Sequence, residues 1–133
     1  MLVLPRYYRF KIYNNSGVSI SANNAKVYTR RFKFGADGAL SYENSETLVL
    51  DNSSSISPGS YDAATMVDNN TDKYIGGTFV FQVTLTGSPN GNVVLFFERS
   101  TDGTTRVDSD GVGDVVAVLN FTSATTKRKS FSL

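Results

Sequence analysis

The chain has 133 residues, the size of one domain, and a net charge of +1. It contains no Cys, His or Trp, which excludes disulfides, thiolate and imidazole metal sites, a cysteine nucleophile and a Ser-His-Asp triad. Hydrophobic residues make up 40% and aromatics, all Tyr and Phe, 12%; that composition can bury a core, and it leaves binding and assembly as the main functions open.

The opening apolar run, Met1-Leu2-Val3-Leu4, is far shorter than the roughly 7–15 residues of a signal peptide core or the roughly 20 of a membrane span. A protein made in the cytoplasm without a signal peptide and without membrane contact is therefore expected. Tyr8, Phe10 and Ile12 alternate with Arg9, Lys11 and Tyr13, a period of two that predicts a strand over 7–13. Asn14-Asn15-Ser16-Gly17 has the chemistry of a turn. A second strand is predicted over 25–34, with Tyr28, Phe32 and Phe34 on one face, interrupted by Arg30, and Val27, Thr29, Arg31 and Lys33 on the other. Gly35-Ala36-Asp37-Gly38 signals a hairpin, after which Leu40 and Tyr42 are in phase on a strand over 39–43. Leu48 and Leu50 suggest a short strand over 46–50.

Residues 51–73 read as a long loop, an arm or crossover, with one helical turn over 61–66. Beyond it, Phe79, Phe81, Val83 and Leu85 alternate with Val80, Gln82, Thr84 and Thr86. An Asn90-Gly91 turn leads into 92–99, and 115–121 follows a polar Gly/Asp-rich loop. Both of these strands are apolar on both faces, which predicts a central position or a covered interface. A strand over 126–133 closes the chain. Seven or eight short strands, little helix and no internal repeat predict a single all-β domain over 1–133, an antiparallel β-sandwich of jelly-roll-like form.

Charge is segregated along the chain. Residues 1–34 hold seven Lys/Arg and no acid, and residues 35–72 hold seven Asp/Glu and no base. The two segments either neutralise each other within the fold or present a bipolar surface to copies or partners. Arg6, Arg9, Lys11, Arg30 and Arg31 are the candidate charged contacts, and Val94, Phe96, Val116 and Val118 the candidate apolar ones. Tyr7, Tyr8 and Tyr13 beside the basic residues could stack nucleic-acid bases, but half-buried alternation generates the same pattern and the acidic half would repel phosphate, so nucleic acid is not expected as a partner. Asp108, Asp110 and Asp114 around Gly111 resemble the start of a calcium loop. The carboxylate needed at loop position twelve is replaced by Leu119, and turn chemistry explains the run equally well, so no metal and no cofactor is expected. Four Asn-x-Ser/Thr sequons, at Asn14, Asn52, Asn69 and Asn120, are read as chance in a chain rich in these residues. No pair of carboxylates is placed for catalysis, and an enzyme is not expected.

The pattern Gly91-x-Val93-x-Leu95-x-x-Glu98-Arg99-Ser100-Thr101-Asp102-Gly103, continued by Gly111-x-Gly113, Val116-Ala117-x-Leu119-x-Phe121 and Thr126-Lys127-x-Lys129-Ser130-Phe131, resembles small virion proteins of tailed bacteriophages. Those proteins often carry an aromatic-Pro pair where Arg106-Val107 stands here. The resemblance implies a structural role in a phage particle and no catalytic residues. The expected function is that of a capsid decoration (cement) protein, bound to the major capsid protein or another virion protein on the outside of the shell. A homo-oligomer is expected, a trimer where it caps a capsid three-fold. A tail or baseplate component is the alternative, followed by a carbohydrate-binding sandwich at a fibre tip.

Overall fold

The computed structural model describes residues 4–104 and 114–133. The described residues form ten strands: β1 (Tyr7–Asn15), β2 (Ala25–Phe34), β3 (Leu40–Tyr42), β4 (Thr47–Asp51), β5 (Tyr61–Ala63), β6 (Val67–Asp68), β7 (Gly76–Leu85), β8 (Gly91–Ser100), β9 (Asp114–Phe121) and β10 (Thr125–Ser132). They make two antiparallel five-stranded sheets. The first runs β5-β1-β8-β9, with β6 also paired to β1; the second runs β10-β7-β2-β3, with β4 also paired to β2. The all-β sandwich expected from the period-two alternation is the fold found.

The core is the set of inward-facing positions of the long strands. Tyr8, Phe10 and Ile12 of β1, Val93, Leu95 and Phe97 of β8, and Ala117, Leu119 and Phe121 of β9 face Val27 of β2 and Phe79, Phe81, Val83 and Leu85 of β7. Phe10 bridges the sheets. Its ring lies 5.5 Å from Phe97 and 6.2 Å from Tyr8 within its own sheet, and 5.5 Å from Phe79 and 6.0 Å from Phe131 of the other. Tilted and edge contacts at these distances add to the burial itself.

Residues 61–66 do not form a helical turn, and no helix occurs among the described residues. The open side of β1 offers unpaired backbone groups, and Tyr61–Ala63 pairs with them in the register Lys11↔Ala63 to Tyr13↔Tyr61, while Val67–Asp68 pairs further along. Local propensity over so short a segment is weaker than a ready-made ladder. These two pieces raise the strand count above the seven or eight expected. Of the two readings of 51–73, crossover and arm, the segment follows the first: Ile56 bridges Ile20 and is buried in the core.

Three of the four sequon asparagines hold these connections in place and are buried. Asn14 donates from Nδ2 to the carbonyls of Val18 (2.8 Å) and Ile56 (2.9 Å) and accepts from the Ser16 N–H and hydroxyl. Asn52 accepts from the Ala25 N–H (2.8 Å) and donates to the Ser21 and Ser54 carbonyls. Asn69 accepts from the Tyr74 N–H and donates to the Tyr74 carbonyl. Their amides bond backbone groups of the connections, so the polar atoms of these three buried side chains are satisfied.

Phe10→Ala is expected to cost about 3–5 kcal/mol, measured by urea denaturation, because the two sheets cannot close over the missing ring. Asn52→Ala takes the side-chain partner from the Ala25 N–H and the Ser54 carbonyl and leaves the Ser21 carbonyl with the Asn24 N–H alone, and it is expected to cost about 1–3 kcal/mol in the same measurement.

Candidate interaction surface

The β2 alternation has two candidate core faces, and the structure buries the less apolar one. Ala25, Val27, Thr29 and Arg31 point inward. Thr29 is accommodated by donating its hydroxyl to the Thr78 carbonyl (3.1 Å). Arg31 is accommodated by an ion pair with Glu43, at 2.7 Å from Nη2 to Oε1 and 3.0 Å from Nε to Oε2, and by a hydrogen bond to the Tyr8 hydroxyl. Tyr74 lies beneath the guanidinium, 4.5 Å from it to the ring centroid. Burial alone would lower the Arg31 pKa, but bonds to Glu43 and Tyr8 outweigh it and hold the guanidinium charged. Burial raises the Tyr8 pKa despite Arg31. Burial would likewise raise that of Glu43, yet bonds from the Arg31 side chain and N–H and from the Thr47 hydroxyl hold it below its ordinary value.

Turning Arg31 inward turns Tyr28, Arg30, Phe32 and Phe34 outward. Phe32 lies opposite Tyr42, with rings 5.6 Å apart, and Phe34 lies opposite Leu40. A bulge at Val27/Tyr28 sets Leu48 opposite Tyr28 and Leu50 opposite Val27, so Leu48 faces out and Leu50 in. Phe34 (61% exposed), Tyr42 (58%), Leu40 (51%) and Leu48 (44%) thus cluster on the outer face of the second sheet. Large exposed apolar patches on a soluble domain mark contact surfaces. Gly76 belongs to this face by necessity: a Cβ there would lie 2.8 Å from the Phe32 ring.

The apolar outer face expected on the first sheet is largely closed by the chain itself. Phe96 is only 7% exposed, with Tyr61 at 6.3 Å, and the Tyr61 ring lies tilted against Tyr13 at 4.6 Å. Val94 and Val118 sit on that face, half-buried. Val116 does not share it. A bulge at Leu95/Phe96 pairs Phe96 with Val115, which is exposed, and Val116 packs against the core instead.

The basic candidates separate in the same way. Arg9 meets Glu98 at 2.9 Å, and the Lys11 ammonium lies 3.7 Å from the other Glu98 oxygen and 4.7 Å over the Tyr61 ring. Glu98 is fully buried, and its Oε1 accepts no hydrogen bond among the described residues. Lys11 supplies the charge beside it. Arg9, Lys11 and Arg31 are therefore engaged within the fold rather than offered outward. Arg30 and Arg6 are exposed; Arg30 donates to the Glu43 carbonyl (2.9 Å), and Arg6 lies 4.9 Å over the Tyr7 ring. Asp108 and Asp110 lie outside the described residues, and Asp114 pairs with Arg99 at 3.1 Å.

Among the described residues, two surface clefts have volumes of about 230 and 270 Å³. Both are smaller than the roughly 300–1,000 Å³ usual for small-molecule pockets. The first is lined by Arg6, Asn69, Lys73 and Tyr74. No family model, curated protein or solved structure matches the chain.

The exposed apolar face of the second sheet lies outside the contact residues expected from the sequence, although its residues are in phase. Tyr28, Phe32 and Phe34 with Leu40 and Tyr42 are the longest aromatic-rich alternation in the first half of the chain. A useful signal was the acidic residue at Glu43, placed to satisfy an inward arginine across the hairpin.

Glu43→Gln is expected to cost about 2 kcal/mol near neutral pH, between the limits for exposed and buried pairs. The Glu43 carboxyl is held below its ordinary value of 4.5, so the folded state keeps this charge at a lower pH than the unfolded chain does. Its contribution is complete above about pH 4.5 and is lost as pH falls through the lowered folded value. Urea denaturation across this range should show the difference between the wild type and the variant shrinking toward low pH.

Proposed function

We propose that this chain is a structural protein of a tailed-phage particle, a decoration protein that seats the outer face of its second sheet on the capsid exterior and stabilises the shell. The observation that carries the reading is the exposed cluster of Phe34, Leu40, Tyr42 and Leu48 on a regular sheet face, with Arg30 beside it. Such a face suits a broad protein surface better than a small ligand. Aromatic side chains are enriched at the centres of protein contacts, where a few residues carry most of the binding energy, and neighbouring charge sets orientation. Repetition over a closed shell multiplies a modest contact through avidity. The resemblance of residues 91–131 to small phage virion proteins supports the same reading. The resemblance does not choose between capsid and tail; the partner proposed here is the major capsid protein, with a tail location as the rival.

The test is the protein composition and density map of purified particles. The expected result is the chain in high copy number on the outer shell. A few copies at the tail or baseplate would overturn the decoration reading in favour of the rival. The double substitution Phe34→Ser and Tyr42→Ser, both at exposed positions, should preserve the circular dichroism spectrum and weaken binding to stripped particles at least about tenfold, as for loss of aromatic hot spots.

A further inference from the structure

Both margins of the second sheet are open among the described residues, and they carry opposite charge. At one margin β10 pairs with β7 alone. Its sequence, Thr125-Thr126-Lys127-Arg128-Lys129-Ser130-Phe131-Ser132, has three consecutive bases and no acid, and all three basic side chains are exposed. At the other margin, β3 and β4 cover β2, and the segment from Asp37 to Asp51 holds four acids and no base. Glu43 is taken up by Arg31, while Asp37, Glu46 and Asp51 are exposed.

The backbone at both margins is set for a further strand. Leu133 and Gly77 exchange both N–H···O bonds, at 2.8 and 3.1 Å. Along the register Phe131↔Phe79, Lys129↔Phe81 and Lys127↔Val83, the residues in step with Leu133 spend their groups on β7. Thr126, Arg128, Ser130 and Ser132 therefore direct N–H and C=O away from β7, toward the open side. Across the hairpin, Gly35 N–H donates to the Ala39 carbonyl and Glu43 N–H to the Arg31 carbonyl. Leu40 and Tyr42, out of step with those positions, direct their backbone groups outward beside their exposed side chains.

Charge selects the occupant. Two β10 margins brought together across a two-fold would set Lys127, Arg128 and Lys129 against the same residues. Two β3–β4 margins would set carboxylates against carboxylates. Only the unlike pair is attractive. We infer that a second copy of this chain docks its acidic β3–β4 margin on the basic β10 margin of the first, extending the sheet head to tail. Such a contact is heterologous: it closes into a ring or continues as a filament, and a discrete mass in solution marks the ring. With the outer face of the sheet on a shell, its two margins lie to the sides, where neighbouring copies would meet. The inference rests on reading the chain as an assembly protein, and its test is made on the free protein.

Light scattering on the full chain should show assembly at low salt, weakened tenfold or more in about 1 M salt, where the screening length is about 3 Å. Lys127→Glu, Arg128→Glu and Lys129→Glu together should give a folded monomer, and so should Glu46→Lys with Asp51→Lys. Mixing the two variants should restore assembly, because each regains an unlike margin. Ser130→Pro, which loses no bond to β7, should block the added strand while leaving the circular dichroism spectrum unchanged. A monomer at every salt concentration, assembly indifferent to both reversals, or no recovery on mixing would overturn the inference. Particle binding is read on the same proteins. Head-to-tail assembly without particle binding supports the margin contact and removes the decoration reading; particle binding by a wild-type monomer overturns the margin contact alone.

Discussion

Phe10 joins the two sheets. Its ring touches Tyr8 and Phe97 on its own side and Phe79 and Phe131 on the other, so the separation and alignment of the layers follow from how these rings pack. A sandwich of this size has one inner face per sheet, and the alternation of β1, β7, β8 and β9 fills it. Whatever apolar surface remains must be covered locally or left outside. The remaining features of the molecule follow from that limit.

On the first sheet the surplus is covered locally. Tyr61 arrives on β5, packs against Tyr13 and lies beside Phe96, while Arg9 and Lys11 converge on Glu98. On the second sheet the surplus stays outside. The hairpin that delivers Glu43 to Arg31 also delivers Leu40 and Tyr42 to the exposed face beside Phe34. A buried ion pair and an apolar surface patch are thus two results of one choice of which side of β2 faces the core. A buried pair of this kind contributes little net stability against an apolar replacement, yet losing either partner is costly, and so it fixes the register of the hairpin.

The asparagine-rich connections answer a different demand. Crossing between sheets exposes backbone groups that belong to no ladder, and a connection packed onto the core cannot leave them bare. Asn14, Asn52 and Asn69 each offer a donor and an acceptor on a short stem, which suits them to bind backbone where Asp or Ser would satisfy only part of it. That is why residues 51–73 lie along the molecule with so little regular structure.

What the amino-acid sequence determines by itself is local and periodic. Alternation at Tyr8-Phe10-Ile12, Phe79-Phe81-Val83-Leu85 and Val93-Leu95-Phe97, with turn residues between, specifies strands and their inner faces, because the side-chain period of a strand is two whatever its neighbours are. Val93, Leu95, Ala117, Leu119, Phe121 and Phe131 follow the same alternation and pack in or against the core. Where both faces could be buried, or a segment is short, the answer came from tertiary structure. Arg31 turns inward only because Glu43 and the Tyr8 hydroxyl meet it there, and Tyr61–Ala63 becomes a strand only because β1 has an open side. Val116 and Leu48 take the faces they do because bulges at Leu95/Phe96 and Val27/Tyr28 shift the register by one residue. Such a shift reverses which side a chain segment presents, and it depends on pairing between distant strands, which no local pattern encodes.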